Sequence, residues 1–292
     1  MYMVLETASL IALAAVICWG FGDYFIQQTV RKIGSVQSLF FIGLIGSILM
    51  LPLVWTELPL AFQPENALFL IGIGVLTFIV ALILFESLKE GKLSVVDVIF
   101  EFELPITVLL ALFFFGEQLT LIQGFLIGLI FVGILLIALE HLHIKKIVHS
   151  LEKGVLLALI GSVGMGFLNF YTASASRTIT PGLAIFVPWV IYGTLSLAVI
   201  MMRKETHYLW SNFRKYPHII LGQSILDSLA WMFFAVALSQ HSAAIVTAIT
   251  ESYPALALFL GVWFNKEKIA SHQMIGAAVA LGACVILAFY AG

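Results

Sequence analysis

Long apolar stretches recur along almost the whole of this 292-residue chain. A helix needs about 20 apolar residues to cross the roughly 30 Å hydrocarbon core of a bilayer, because each residue adds about 1.5 Å. The stretches that approach or exceed this length lie near residues 9–29, 35–55, 67–88, 94–115, 121–139, 154–176, 182–202, 217–238, 242–263 and 271–290. The sequence therefore predicts an all-α integral membrane protein with ten transmembrane helices, placed in the cell membrane.

Positive charge is distributed unevenly between the loops that connect these helices. Thirteen of the fourteen Lys and Arg residues fall in odd-numbered loops, and the exception is Arg177 in the sixth loop. Cytoplasmic loops retain Lys and Arg because moving these charges across the membrane is unfavourable. The pattern predicts odd loops inside and both termini outside. A net charge of −2 gives no reason to expect nucleic acid, and Cys18 and Cys284, both in apolar spans, predict no disulfide, metal or cofactor.

The two halves of the chain resemble one another. A shift of 150 residues superposes three pairs of residues: Glu101 on Glu251, Glu117 on Glu267, and Gln123 on Gln273. A shift of 146 aligns three pairs nearer the start: Gly20 with Gly166, Asp23 with Asn169, and Arg31 with Arg177. An odd number of spans in each repeat inverts the second repeat relative to the first, an arrangement that recurs in transporters. We therefore predict two inverted five-helix repeats, residues 1–146 and 147–292.

Several short motifs resemble those of the EamA family of the drug/metabolite transporter superfamily. The first is Trp19-Gly20-Phe21-Gly22-Asp23, similar to that family's tryptophan-glycine opening. The second is a mid-helix proline followed by glycine-glutamate at a helix end, in 103–117 and, with lysine for glycine, in 253–267. The resemblance implies a ten-helix fold with a central cavity. It also implies cytoplasmic termini, which the charge distribution contradicts.

Acidic residues lie deep within several predicted spans, where placing an ionisable group in the bilayer costs free energy. Five are near helix midpoints or within the second half of a span: Asp23, Glu101, Glu103, Asp227 and Glu251. Asp97 lies nearer a cytoplasmic end, and no Lys or Arg reaches a comparable depth. Such a group costs at least about 2.5–3.5 kcal/mol on insertion scales, so it is expected to face a partner, a cavity or water. These acids predict a site that carries a proton or binds a cationic amine, or else polar contacts that hold helices together.

Helical geometry favours one pair among these acids. At about 100° per residue, Glu103 is turned about 200° from Glu101, so the two are not expected to face one cavity. The repeat alignment instead favours Glu101 and Glu251 as a pseudo-symmetric pair beside the cavity.

Aromatic and amide side chains form a second candidate group: Trp19, Tyr171, Trp231 and Asn169. Such a lining suits a small amphipathic solute, including an organic cation held by ring faces, although packing between helices or anchoring at the interface is the simpler role for each ring alone.

Other features indicate structure rather than chemistry. Glu117 and Glu267 are interpreted as caps of the fifth and tenth helices. Pro105 and Pro254 each remove a backbone hydrogen bond near a helix centre. Stripes of small residues on the fifth and tenth helices favour close packing, within a monomer or across a homodimer.

These observations together predict a secondary transporter, and not an enzyme. It moves a small organic metabolite or drug-like solute by alternating access, with proton-coupled export preferred and with lipid and solute as its partners. One alternative is an intramembrane aspartyl protease, whose Gly-x-Gly-Asp and Pro-Ala-Leu motifs match residues 20–23 and 254–256. Its second aspartate would be Asp97 or Asp227, and neither follows a tyrosine as expected. The other alternative is an uncoupled facilitator of the same fold.

Overall fold

The chain folds as a set of packed helices. The computed structural model describes residues 7–90, 99–138, 153–256, 258 and 270–290, and the secondary structure within these ranges is helical. In the first half the helices are α1 Thr7–Ile33, α2 Ser35–Val54, α3 Leu58–Ala61, α4 Pro64–Glu90, α5 Glu103–Phe114 and α6 Leu121–Ala138. In the second half they are α7 Lys153–Thr178, α8 Pro181–Met202, α9 Thr206–Lys215, α10 Pro217–Gln240, α11 Ala243–Thr250 and α12 Ser271–Phe289.

Eight helices within the described ranges are long and apolar enough to span a membrane. They are α1, α2, the 64–84 part of α4, α6, the 156–178 part of α7, α8, α10 and α12. The chain is thus a multi-pass membrane protein. The predicted fourth and ninth spans are not among these eight, because the described parts of each are shorter helices, α5 and α11. Ten spans therefore stay a prediction.

Each long helix of the first half makes its most extensive contacts with a helix of the second half. These contacts join α1 to α10, α2 to α8, α4 to α7 and α6 to α12, and α5 packs against both α7 and α11. The core consequently lies between the halves, not within either one. Between its Leu and Ile side chains it contains many Ala and Ser residues, such as Ala12, Ala15, Ser228 and Ala235, which allow helix axes to approach closely.

The halves approach each other closely at Gly43 on α2 and Gly193 on α8. A Cβ atom added at Gly43 would lie 2.6 Å from the Cα atom of Gly193 and 2.9 Å from the carbonyl oxygen of Trp189. Real Cβ atoms do not approach backbone atoms this closely, so only glycine fits without moving a helix. The α2–α8 contact therefore depends on the absence of a side chain at this position.

We expect Gly43→Ala to destabilise the protein, because the added methyl group must push α2 away from α8. The cost is about 1–3 kcal/mol, as for overpacking of other cores. Gly124→Ala is the matched control, since its Cβ meets nothing within 4 Å and alanine favours a helix by up to about 1 kcal/mol. Unfolding by SDS in bicelles measures both variants. Equal midpoints for the two variants would contradict the close contact.

Reciprocal hydrogen bonds join α6 and α12. The side-chain amide of Gln123 donates to the carbonyl oxygen of Tyr290 at 3.0 Å, and that of Gln273 donates to the carbonyl oxygen of Ile137 at 2.9 Å. Gly133 and Gly276 also lie in mutual backbone contact, so this part of the small-residue stripe packs within the chain. By contrast, Cβ atoms added at three other glycines would meet nothing within 4 Å: Gly124, Gly128 and Gly282.

Candidate functional site

Two helix breaks face each other between the halves. The chain turns at residues 101–102 before α5 and at residues 251–252 after α11. Pro105 and Pro254 follow these turns, and a proline ring clashes with the carbonyl group four residues earlier, at Glu101 and Thr250. Short-range bonds replace the helical ones, from the Leu104 amide to the Glu101 carbonyl at 3.4 Å and from the Ser252 amide to the Ile249 carbonyl at 3.2 Å. The prolines thus place both breaks next to acidic residues.

Glu103 and Glu251 meet at these breaks. Their carboxyl groups hydrogen-bond to each other, and Glu251 is buried with 5% of its surface exposed. An ionised carboxylate offers only acceptors, so one member of a hydrogen-bonded carboxyl pair must carry a proton. The arrangement is therefore chemically able to hold a proton between the two halves of the chain.

Asp227 and Asp23 lie beside this pair, on α10 and α1. The buried Asp227 lies close enough to the indole N–H of Trp19 to interact with it. Asp23 is half-buried and close enough to interact electrostatically with Asp227, Glu103 and Tyr253. Glu101, at the first break, is near enough to act on Glu103 and Tyr253 in the same way. The five membrane-embedded acids predicted from sequence thus occupy one region of the structure.

Glu101 and Glu103 both lie close to this region, although one continuous helix would turn them about 200° apart. The expected 200° separation assumed an unbroken helix through both residues, and the turn at 101–102 invalidates that assumption. The hydrogen bond to Glu251 is made by Glu103, whereas the sequence favoured Glu101. The predicted role of each acid stays a prediction, and Asp97 lies outside the described residues.

Aromatic rings line one side of the acidic region. Trp19 contacts Trp231 edge-on with ring centroids 5.4 Å apart, and Tyr253 at 5.9 Å. Trp231 contacts Trp189 at 5.7 Å, and Trp189 contacts Tyr192 at 5.1 Å. The series connects α1, α8, α10 and the segment that follows the second break. Both tryptophans selected from the sequence, Trp19 and Trp231, belong to it.

Asn169 and Tyr171 occupy different positions on α7. The buried amide of Asn169 donates to the hydroxyl of Thr107 at 3.4 Å, and that hydroxyl donates to the carbonyl oxygen of Glu103 at 2.9 Å. Asn169 is therefore connected to the acidic region through α5. Tyr171 instead contacts Phe69, Phe167 and Phe170 in a separate aromatic group.

The sequence did not single out Trp189, Tyr192 or Ser228. The indole N–H of Trp189 donates to the hydroxyl of Ser228 at 3.2 Å. A signal for Ser228 exists, because Ser224, Asp227, Ser228 and Trp231 recur at helical spacing along one face of α10. No comparable signal marks Trp189, since its neighbours in the sequence are apolar.

A second polar cluster lies where three connections meet on one end of the molecule. Glu117 accepts hydrogen bonds from the Arg177 guanidinium at 2.8 Å, the Ser242 hydroxyl at 2.6 Å, and the amides of Ala243 at 2.8 Å and Ala244 at 3.0 Å. We call Glu117, Arg177 and Ser242 the loop clamp. It borders an open depression of about 460 Å³ that also includes Ser239, Gln240 and His241.

Glu117 therefore caps α11, and not the fifth helix as the sequence suggested. The start of α6 is capped by Thr120 and Gln123, whose side chains each accept from the backbone amide of the other. Glu267 lies outside the described residues. Burial by itself raises the pKa of Glu117, but hydrogen bonds from Ser242, the two amides and Arg177 outweigh it and hold that pKa below its usual value. The loop clamp thus stabilises an ionised carboxylate across the two halves.

The fold and site together define a multi-pass membrane protein in which paired half-chains enclose a polar, acidic centre. The sequence profile of the EamA-like transporter family matches residues 7–139 and again residues 152–289. The chain belongs to the EamA-like transporter family, which confirms the resemblance seen in its motifs. It is accordingly a membrane transporter, and membership of this family favours transport over enzymatic catalysis.

Individual relatives agree with this assignment. An uncharacterized transporter of Archaeoglobus fulgidus is 24% identical over 280 residues, covering 95% of this chain and 96% of the relative. An uncharacterized protein of Methanocaldococcus jannaschii is 29% identical over 138 residues, which is all of that protein but 47% of this chain. A protein known from its crystal structure shares the fold with a TM-score of 0.74 over 99% of both chains, at 13% identity.

Proposed function

We propose that this protein is a proton-coupled secondary transporter that exports a small organic solute across the cell membrane by alternating access. The observation that carries the proposal is the hydrogen bond between Glu103 and Glu251. It joins the two halves at the two helix breaks, where transporters commonly bind substrate and coupling ions. The acids named from the sequence surround it.

Proton coupling follows from what happens when this pair loses its proton. Two ionised carboxylates at hydrogen-bonding distance repel each other strongly in a poorly solvated interior. The Lys and Arg residues of the described chain lie at helix ends, such as Arg31 and Arg177, too far away to compensate. Deprotonation therefore favours separation of Glu103 from Glu251, and protonation favours their contact. A change in proton occupancy is in this way coupled to the distance between the halves.

Alternating access rests on the proposed inverted repeats, residues 1–146 and 147–292. Each long helix of one half pairs with a helix of the other, and three of these pairings join helices at equivalent places in the two repeats: α2 with α8, α5 with α11, and α6 with α12. The reciprocal bonds of Gln123 and Gln273, which are 150 residues apart, support the same pseudo-two-fold relation. Further support comes from the family profile, which matches each half separately.

The lining suggests what kind of solute is carried. Trp19, Trp231 and Tyr253 offer ring faces and edges beside carboxyl groups. A small amphipathic molecule with a protonated amine suits such a lining, because the rings and the carboxylates both attract a cation. A proton and a cationic solute would then compete for the same carboxyl groups.

Two alternatives differ in their observable consequences. An uncoupled facilitator of this fold transports solute at a rate that does not depend on a pH gradient. A protease requires two aspartates about one water molecule, and Asp23 and Asp227 do lie near each other. In that case Asp23→Asn abolishes the cleavage of a membrane peptide, whereas in a transporter it alters affinity or coupling.

The test measures transport currents of the purified protein on solid-supported membranes. A panel of amino acids, polyamines and aromatic amines is applied with and without a pH gradient. We expect a current that depends on the solute and reverses when the gradient is reversed. A solute flux that ignores the gradient would favour the facilitator, and cleavage of a peptide without any flux would favour the protease.

A further inference from the structure

One amphipathic helix lies at the end of the molecule opposite the loop clamp. α9 packs one face against the ends of three membrane-spanning helices: Leu209, Phe213 and Tyr216 contact the buried group Ile33, Phe41 and Ile220. A hydrogen bond of 2.8 Å from the Asn212 amide to the Gln37 side chain fixes its position across α2. α9 is therefore a firmly attached surface helix and not a loose connection.

The exposed surface of α9, on both sides of its packed face, combines aromatic rings with cations. Trp210 is 62% exposed and Tyr208 is 50% exposed. Trp210 stacks on Phe213 with ring planes 16° apart, and the Arg214 guanidinium carbon lies 4.9 Å from the Trp210 ring centroid. Indole rings favour the depth of the lipid headgroups, because one edge is polar and the rest is apolar. This surface therefore has the composition of an interfacial helix.

Two further cations converge on one ring beside it. The Nζ atoms of Lys32 and Lys215 lie 5.0 Å and 5.1 Å from the centroid of Tyr216. Both ammonium groups are held beside the same ring by contacts that leave N–H donors for other acceptors. Arg203 and Lys204 precede α9, and Glu205 is the only acid in the stretch 203–218. The result is a basic surface with little acidic compensation.

We propose that α9, with Lys32 and Lys215, is a binding site for the headgroup of an anionic phospholipid. Phosphate oxygens accept strong hydrogen bonds from ammonium and guanidinium groups, and Lys32, Lys215 and Arg214 supply such donors within one surface. The exposed Trp210 ring rests at the start of the acyl region, as in other interfacial helices. Charge complementarity selects an anionic lipid over a zwitterionic one. The site does not depend on the transport function.

The test titrates phosphatidylglycerol into the detergent-solubilised protein and follows bound lipid by native mass spectrometry. We expect phosphatidylglycerol to bind in preference to phosphatidylcholine. Each basic residue near an anionic surface strengthens binding roughly fivefold, so Lys32→Gln/Lys215→Gln should weaken phosphatidylglycerol binding by about 25-fold. Lys32→Arg/Lys215→Arg keeps the charge and should bind as the wild type does. Trp210→Ala should weaken binding, whereas Phe113→Ala, an exposed aromatic residue on α5, should not.

Three results would overturn the site. An equal loss in Lys145→Gln/Lys146→Gln, which removes the same charge from another predicted loop, would mean general attraction to positive charge. Equal binding of phosphatidylcholine would remove the role of lipid charge. Competition by soluble glycerol phosphate at the same concentration would indicate a free phosphate ligand instead of a bilayer lipid. Thermal unfolding in phosphatidylcholine checks that each variant is folded before its lipid binding is compared.

Discussion

Glu251→Gln should abolish solute transport driven by a pH gradient while leaving exchange of solute for solute in place. Glutamine keeps the size and hydrogen-bonding ability of the side chain, and it still accepts from or donates to Glu103, but it cannot release a proton. Gradient-driven transport should fall by roughly a hundredfold, near the upper range of coupling between linked sites. Exchange needs no net proton movement, so it should stay within a fewfold of the wild type.

Proteoliposomes measure the two activities separately, with radiolabelled solute and either an imposed pH gradient or unlabelled solute on the opposite side. Glu103→Gln should behave as Glu251→Gln does. Glu65→Gln is the control, because Glu65 lies in the first turn of α4, far from the helix breaks. If Glu101→Gln eliminates coupling and Glu251→Gln does not, Glu101 is the proton carrier and the pair in the structure is not.

Glu117→Gln should lower the free energy of unfolding by about 2–4 kcal/mol, because it disrupts several charge-assisted hydrogen bonds in a half-buried cluster. In the wild type each carboxylate oxygen of Glu117 accepts two hydrogen bonds. Glutamine replaces one of these oxygens with an NH₂ group that faces donors. The ion pair with Arg177 is lost as well. SDS unfolding in bicelles measures the difference at pH 7.

The stability supplied by Glu117 should also depend on pH in a defined direction. Its pKa in the folded protein lies below the ordinary value of 4.5, so the folded state binds this proton less readily than the unfolded state does. The contribution is complete above about pH 5 and is lost as the pH falls below 4.5 and through the lower folded-state pKa. The difference between wild type and Glu117→Gln should therefore shrink in acid.

Glu57→Gln is the matched control for this cluster. Glu57 also joins the two halves, but it accepts one hydrogen bond, from the Thr180 hydroxyl at 2.6 Å. We expect its replacement to cost less than about 1 kcal/mol, because the amide oxygen of glutamine can still accept this single bond. A similar loss in both variants, or a Glu117 effect that grows in acid, would contradict the account of the loop clamp.

Eight of the ten predicted segments correspond to long apolar helices of the described chain, because hydropathy and length are local properties. The sequence also located the acids and the two prolines at which helices break. The preference for Glu101 over Glu103 assumed a constant turn per residue, which holds only for an intact helix, and the turn at 101–102 interrupts that helix. The direction of a side chain beyond a break depends on tertiary packing, here against Glu251 and Tyr253.

Contacts across the two halves were the least predictable part. Glu117 follows a helix and precedes another, which suggested a local cap, yet it binds residues 60 and 125 positions away. Gln123 and Gln273 aligned in the sequence, but nothing in the alignment indicated that each would bind the opposite helix. The contact of Trp189 with Ser228 is equally hard to predict from the sequence, because it forms only when α8 packs on α10. Such contacts depend on the fold as a whole.

Acids of the first half hold α11 at both of its ends. Glu117 binds the amides at its start, and Glu103 binds Glu251 just after its last turn. All eight residues of α11 are buried, and its length is about 12 Å. In the proposed transport cycle, such a short and fully packed helix would move as one rigid unit. The contact of Glu117 near the surface and the contact of Glu103 with Glu251 deeper in the protein would then change together.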